Sequence, residues 1–510
     1  MNVVLLLVYF AVMIGIGLYC RKNATDVNGF VLGGRSVGPW LTAFAYGTSY
    51  FSAVVFVGYA GQFGWKYGIS ATWAGIGNAV IGSLLAWVVL GRRTRIMTQH
   101  LESATMPQFF EKRFNSKALK LAASAIIFVF LIPYTASLYN GLSRLFGMAF
   151  SIDYSVCIWL MAVLTAIYVI AGGYMATAIN DFIQGVIMLF GIVTVIAAVI
   201  GSKGGLMEAL NGLAAVQDPA VSSAPGVFNS FLGPDPLNLM FVVILTSLGT
   251  WGLPQMVQKF YAIKDEGAIK KGTIISTVFA LVVSGGCYFL GGFGRLFSDR
   301  VDIAANGYDS IIPAMLETLS PALIALVVIL VLSASMSTLS SLVIASSSTL
   351  VIDFVKGSIV KKMDDKQQVL MIRAFIVVFI LISAVIAQIQ YSATVTFIAQ
   401  LMGISWGALA GAFLAPFLYS LYWKRTTVAS CWASFAFGVG LMMVNMLAKP
   451  MLPAILRSPI NAGAIAMLAG LVIVPAVSLV TAKPDQKLIN DCFACYEQET
   501  RVPQKTALGK

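Results

Sequence analysis

Charge is scarce in this chain of 510 residues: Asp, Glu, Lys and Arg make up 11% of it, where a soluble protein carries about 25%. A fold exposed to water needs those side chains, so the composition excludes a string of soluble domains. Histidine occurs once, as His100 in a basic segment, and reads as a surface residue. The phosphate-cradling pattern G-x-x-x-x-G-K-[ST] is absent, which argues against a nucleotide-driven pump within this chain. Cysteine is sparse. Cys20, Cys157, Cys287 and Cys431 fall in or near apolar stretches. Cys492 and Cys495 form a C-x-x-C that lacks a second pair or a histidine, weak ground for a metal or redox centre.

What the chain has instead is apolar surface: 59% of its residues are hydrophobic and its mean hydropathy is +0.87. Stretches such as 3–19, 119–133 and 183–200 contain few charges or none, and a run of about 18 to 20 apolar residues spans a bilayer as a helix. The expected fold is therefore an all-α polytopic membrane protein. Thirteen spans are expected, at 2–20, 38–64, 70–91, 117–147, 152–172, 178–200, 236–260, 272–297, 313–353, 370–390, 393–422, 427–447 and 460–481. Basic residues follow the first span instead of preceding it, so that span reads as a retained helix and not as a signal peptide.

The net charge of +12 reads as topology and not as affinity for nucleic acid. If the loops alternate, one side holds 26 of the 33 basic residues, including Lys259 to Lys271 and the tail from Lys483. The other side holds six: Lys66, Lys203, Arg295, Arg300, Lys449 and Arg457. That bias puts the N-terminus outside and the C-terminus in the cytoplasm of a plasma or inner membrane.

Two segments are rich in helix breakers, one with Gly47, Thr48, Ser49, Ser52 and Gly58, the other with Gly249, Gly252 and Pro254. Interrupted spans at matching positions of two halves point to a transporter site near the midplane, although Gly and Pro are frequent in membrane helices generally. A second signal is the run Ser333 to Ser341. At helical spacing Ala334, Ser337, Ser340 and Ser341 share a face that Thr338 flanks. Such oxygens suit a hard cation such as sodium, or they bond back to their own helix and to neighbours. Asp181 enters an otherwise apolar span. A carboxylate there costs roughly 2.5–3.5 kcal/mol at the bilayer centre, so it needs Arg144 or a bound cation beside it, unless it lies at the interface.

Four motifs in order carry a resemblance: Leu32-Gly33-Gly34-Arg35-Ser36; Ala171-Gly172-Gly173-Tyr174 with Asn180-Asp181-x-x-Gln184-Gly185; Met336-Ser337-Thr338-Leu339-Ser340; and Tyr422-Trp423-Lys424-Arg425. Over about residues 28 to 480 the chain resembles the sodium/solute symporter family. The resemblance implies a leucine-transporter-type fold of two inverted five-helix repeats and sodium-coupled symport by alternating access. The implied division is 1–37 (an extra helix and basic loop), 38–200 (first repeat), 201–235 (an outer loop), 236–425 (second repeat), 426–481 (two further helices) and 482–510 (a cytoplasmic tail).

It also implies a first sodium site from the carbonyls of Thr48, Phe51 and Ala334 with the hydroxyls of Ser337 and Thr338. Some members hold a second ion, for which Asp181, Ser337, Ser340 and Ser341 supply the ligand types, so one or two sodium ions accompany each solute. The implied solute cavity is lined by Tyr46, Tyr50, Ser52, Tyr134, Tyr139, Thr246, Thr250, Trp251 and Gln255. Proline carriers of the family have an Asp where Tyr50 stands, and Trp and Tyr where Thr246 and Thr250 stand. Sugar carriers have Glu-Gln at Val54-Val55. The motif Tyr50-x-Ser52-Ala53-x-x-Phe56, with Gly252-Leu253-Pro254 and Tyr261-x-x-Lys264-Asp265, is similar to that of pantothenate-type permeases. The expected cargo is a small carboxylate-bearing solute, pantothenate-like or a monocarboxylate, with proline or another amino acid as the alternative. The expected partners are that solute, sodium ions and the lipid bilayer; no oligomer is required. An enzyme would need converging acids, histidines or cysteines in the membrane. The alternative of another class is a sensor or channel on the same scaffold, and a sensor would need more than a tail of about 30 residues.

Overall fold

The computed structural model describes residues 2–497 apart from 22–23, 50, 151–152, 223, 318, 357–358, 361 and 394–397. Its regular elements are all helices, with isolated β-bridges only. This is what lipid demands of a chain with open ends, because a helix satisfies its own backbone within one segment.

The helices that build the site are numbered here in chain order: α1 (Asn2–Cys20), α2 (Pro39–Thr48), α3 (Val54–His100), α4 (Met106–Phe114), α5 (Lys117–Phe150) and α6 (Tyr154–Gly201). They continue with α7 (Pro236–Gly252), α8 (Pro254–Ala262), α9 (Glu266–Gly291), α10 (Pro321–Val355), α11 (Asp365–Ala393) and α12 (Ile398–Tyr422). The last are α13 (Val428–Leu447), α14 (Pro459–Val480) and a short tail helix, α15 (Gln486–Ala494).

Among the described residues nine helices are long and apolar enough to cross a membrane, or ten if the bent pair α7–α8 counts as one. The difference from thirteen has local causes. Helix α3 covers the end of the second expected span and the whole third, kinking at Gly68 (φ 64°, ψ −143°). Helix α6 contains the fifth and sixth, which meet at Gly173 (φ 57°, ψ −155°). Positive φ favours glycine at both points. A Cβ would also stand 2.0 Å from the Phe228 carbonyl oxygen at Gly68, and 2.9 Å from that of Phe30 at Gly173. In the first expected span the described apolar stretch is Leu7–Cys20, within α1, and α2 is only ten residues long.

Both breaker-rich segments do break. Helix α2 stops at Thr48, and helical structure resumes only at Ala53. Helices α7 and α8 bend by 46° at Leu253, which adopts extended angles (φ −79°, ψ 122°). The ring of Pro254 enforces this, because it excludes the α conformation from the residue before it. Helix α10 is the centre of the bundle: every residue from Val327 to Thr349 is buried. Its serines are therefore shielded from water, and Ser335, Ser337, Ser340, Ser341 and Ser348 find partners inside the protein.

At the end of the bundle that carries the tail, α15 lies against the 92–114 region. Arg113 and Lys424 stand over the Phe493 ring at 5.1 and 5.6 Å. Arg93 is sandwiched between Tyr422 and Tyr496. Cys492 and Cys495 are buried beneath this cap. Burial pushes the Cys495 thiol up to about 11, and it donates to the Cys492 carbonyl at 3.3 Å. The pair is a packed element of the tail.

Candidate cation and solute site

The end of α2 releases carbonyls that a continuing helix would use, and α10 passes directly beside them. Thr338 Oγ1 lies 3.1 Å from the Thr48 oxygen, 3.2 Å from that of Phe51 and 3.0 Å from that of Ala334. Ser337 Oγ lies 3.1 Å from Thr48 O and 2.9 Å from Ala334 O. All five residues are buried. Two hydroxyls carry two hydrogens, yet five oxygens converge, so lone pairs outnumber the donors available to them. Surplus buried acceptors are costly unless a cation answers them, and an all-oxygen set of this kind suits a hard cation. Among the described residues no three of His, Cys, Asp and Glu gather to hold a metal.

One helical turn along α10, the second set is arranged differently. Asp181 is fully buried, and neither of its carboxylate oxygens accepts a hydrogen bond. Ser340 Oγ donates to the Ser337 carbonyl at 2.9 Å. Ser341 Oγ accepts from Lys259 Nζ at 3.0 Å and shares a 2.9 Å hydrogen bond with Ser49 Oγ. Lys259 Nζ is 4.0 Å from Asp181 Oδ2 and 5.0 Å from the centre of the Tyr174 ring. The charge pattern groups Lys259 with the loop charges, but it lies inside α8 and is 2% exposed. A lysine next to a basic loop gives no sequence signal of burial. Its position is decided by the bend at Leu253, which turns α8 toward α10. Arg144, the partner considered from sequence, has a side chain outside the described residues, as does the whole of Tyr50.

Most of the expected solute residues are buried, and several of their polar groups tie the scaffold together. Tyr46 Oη donates to the Gly82 carbonyl at 2.8 Å, Thr250 Oγ1 lies 3.0 Å from the same oxygen, and Trp251 Nε1 donates to Ile81 O at 2.9 Å. A π-helical stretch of α3 (Asn78–Leu85) contains these two acceptors. Thr246 Oγ1 donates back to Val242 O at 2.9 Å, and Ser52 Oγ accepts from Val54 N at 3.2 Å. Tyr134 packs edge-on against Trp406, ring centres 6.0 Å apart, and Tyr139 is fully buried. Gln255 differs from all of these: it is 1% exposed, and neither its amide oxygen nor its amide nitrogen has a hydrogen-bond partner.

A cavity of about 1060 Å³ reaches into the bundle at one end, with Gln62, Lys66, Arg295, Lys449 and Arg457 among its lining. At the other end, Arg35 closes the structure. It donates to Tyr261 O at 3.2 Å and to Ser103 O at 2.6 Å. Val37 pairs with the same strand-like segment through Val37 N to Ala262 O (3.2 Å) and Lys264 N to Val37 O (3.1 Å). Arg95 donates to Ile263 O and, at 3.2 Å, to Lys264 O. Burial lowers the Arg35 guanidinium to about 10, so it keeps its charge at neutral pH.

The sequence pattern of the Sodium:solute symporter family matches residues 30–438. The osmoregulated proline transporter OpuE of Bacillus subtilis (strain 168) is 28% identical over 481 residues, 94% of either chain. The sodium/proline symporter of Staphylococcus aureus (strain JH9) is 31% identical over 451 residues, 86% of this chain and 85% of its own. A solved Na+-coupled sialic acid symporter, in a substrate-bound outward-open state, superposes with a TM-score of 0.75 at 17% identity, over 95% of this chain and 98% of that one. The finer likeness to pantothenate-type permeases gives way here to proline transporters. A few local motif positions suggested the former, whereas these relatives match along most of the chain.

Proposed function

The chain belongs to the sodium:solute symporter family, and we propose that it carries proline, a zwitterion with a carboxylate, together with sodium. Sodium-coupled solute symport across a membrane follows from the family. The names of the two relatives support proline as the solute. The observation that carries the ion half is the convergence of Thr48, Phe51, Ala334, Ser337 and Thr338 oxygens at the end of a broken helix.

In this reading the two breaks belong to inverted five-helix repeats, and the N-terminus is outside. The large cavity then opens outward, since Lys66, Arg295, Lys449 and Arg457 belong to the outer basic set, and the Arg35 clasp closes the cytoplasmic side. Sodium and solute enter from the cavity, and opening of the clasp releases them inward. Gln255, buried at the second break with both amide groups free, is the best candidate to meet the solute carboxylate or amine.

A pantothenate-like or monocarboxylate cargo is the second reading. It is favoured by Thr246 and Thr250, which stand where proline carriers of the family have Trp and Tyr. Proteoliposomes with an inward sodium gradient decide between them. Uptake of labelled proline that excess proline abolishes and excess pantothenate leaves intact supports the first; the reverse competition supports the second. Uptake that is the same with potassium as with sodium would contradict both.

A further inference from the structure

We infer that the Lys259 ammonium takes the place of a second sodium ion, a cation tethered to the protein, so that this chain carries one sodium ion per solute. The inference rests on the sodium-coupled reading above and departs from the two-ion arrangement that Asp181, Ser337, Ser340 and Ser341 would otherwise allow.

The hydrogen-bond directions are the first ground. Ser49 Oγ donates to the Ala45 carbonyl at 2.5 Å, so in the 2.9 Å contact with Ser341 it is Ser341 that donates. The free lone pairs of Ser341 then face Lys259 Nζ at 3.0 Å. A sodium ion would need those same lone pairs. Ser337 is already directed to Thr48 O and Ala334 O, and it serves the first set.

Charge is the second ground. Among the described side chains, the cation seen beside Asp181 is Lys259, whose Nζ lies 4.0 Å from Oδ2. Both side chains are almost wholly excluded from solvent, at 3% and 0% exposure. One carboxylate balances one ammonium, whereas a sodium ion added between them would leave an uncompensated buried positive charge. Two unit charges held at such separation in a dry interior repel strongly.

Connectivity is the third. Lys259 lies on α8, Ser341 on α10, and Ser49 directly follows Thr48 at the end of α2. The chain Lys259–Ser341–Ser49 therefore joins the second half of one broken helix to the break of the other, through the helix that supplies the first sodium ligands. A free ion can leave with each cycle. An ammonium on a side chain stays, and keeps the two halves linked whether or not solute is bound.

Counting sodium ions on purified protein tests this without depending on which solute is carried. Binding of radiolabelled sodium at saturation is expected to give one ion per chain in the parent. Lys259→Ala, which leaves Asp181 unbalanced, is expected to give two, and Lys259→Ala with Asp181→Asn to give one again. Lys259→Arg retains the charge and is expected to stay at one. Two ions on the parent, or one on Lys259→Ala when the double variant still binds one, would overturn the inference. No sodium on the parent would overturn it together with sodium coupling itself.

Discussion

Tyr46 and Thr250, one on each broken helix, address the same acceptor: the Gly82 carbonyl lies 2.8 Å from Tyr46 Oη and 3.0 Å from Thr250 Oγ1. A single carbonyl on α3 thus holds α2 and α7 in register just before they break. The family resemblance implies that both residues line the solute cavity. In this arrangement their polar atoms serve the scaffold: a carbonyl has two lone pairs, and the single Thr250 hydroxyl hydrogen is shared between Gly82 O and Ser247 O, the latter 2.9 Å away.

Tyr46→Phe and Thr250→Val are accordingly expected to lower stability by about 0.5–1.5 kcal/mol each and to leave the solute KM within about threefold of the parent. Thermal melting in detergent and uptake kinetics check the pair. A large rise in KM at an unchanged melting temperature would return these residues to the solute.

Thr338→Ala removes the hydroxyl that faces three carbonyls. Contacts with a charged partner contribute about 1.5–3 kcal/mol, so the sodium concentration for half-maximal uptake is expected to rise by about ten- to a hundredfold. Solute affinity at saturating sodium should change less. Ser337→Ala is expected to act in the same direction. Unchanged sodium dependence in the double variant would make the two hydroxyls helix-to-helix bonds only.

Arg35→Ala cuts the guanidinium bonds to Tyr261 O and Ser103 O. With the N-terminus outside, as proposed, the cytoplasmic side should open more often. Ser348 of α10 is buried and shares a small cavity with Thr105, Pro254 and Tyr261; a cysteine introduced there, in a background freed of the six native cysteines, is expected to react several times faster with a thiol reagent added from the cytoplasmic side. Equal rates with and without Arg35 would show that Val37 and Arg95 hold the clasp without it.

Gln255→Leu keeps the bulk of a residue whose amide makes no protein hydrogen bond. If that amide meets the solute, the KM for proline is expected to rise about tenfold with little loss of folded protein. A KM equal to the parent's would remove Gln255 from the solute site.

The driving force follows from the ion count. One sodium ion entering down 100 mV contributes about 2.3 kcal/mol, and a tenfold concentration ratio adds about 1.4. Carrying a zwitterion with one ion then allows an accumulation of about five hundredfold. Two ions would allow more than about 10⁵-fold. Steady-state accumulation of labelled proline in vesicles with a clamped potential separates these limits; a ratio well above a thousandfold would exclude one-ion coupling.

Sequence alone determined the class of molecule. Apolar runs of bilayer length admit little but membrane helices, because no water is available there to hydrate a backbone. Pro254 and the glycines around it also announced the second break, since the constraint that proline places on its neighbour is local. The oxygens of Ser337 and Thr338 were legible for a similar reason: hydroxyls in so dense a run at helical spacing are visible without knowing what they face. The sharpness of the joints between spans was less legible. Gly68 and Gly173 interrupt helices without any polar loop to mark the place, and hydropathy registers length and not direction.

Only the tertiary structure decided which partners meet. Asp181 and Lys259 are 78 positions apart, and the lysine belongs by sequence to a basic stretch running through Lys264, Lys270 and Lys271. The bend between α7 and α8 brings it into the interior, where a charge must be paired. Composition records that both charges exist; their pairing arises from packing contacts distant in sequence, and so from the fold.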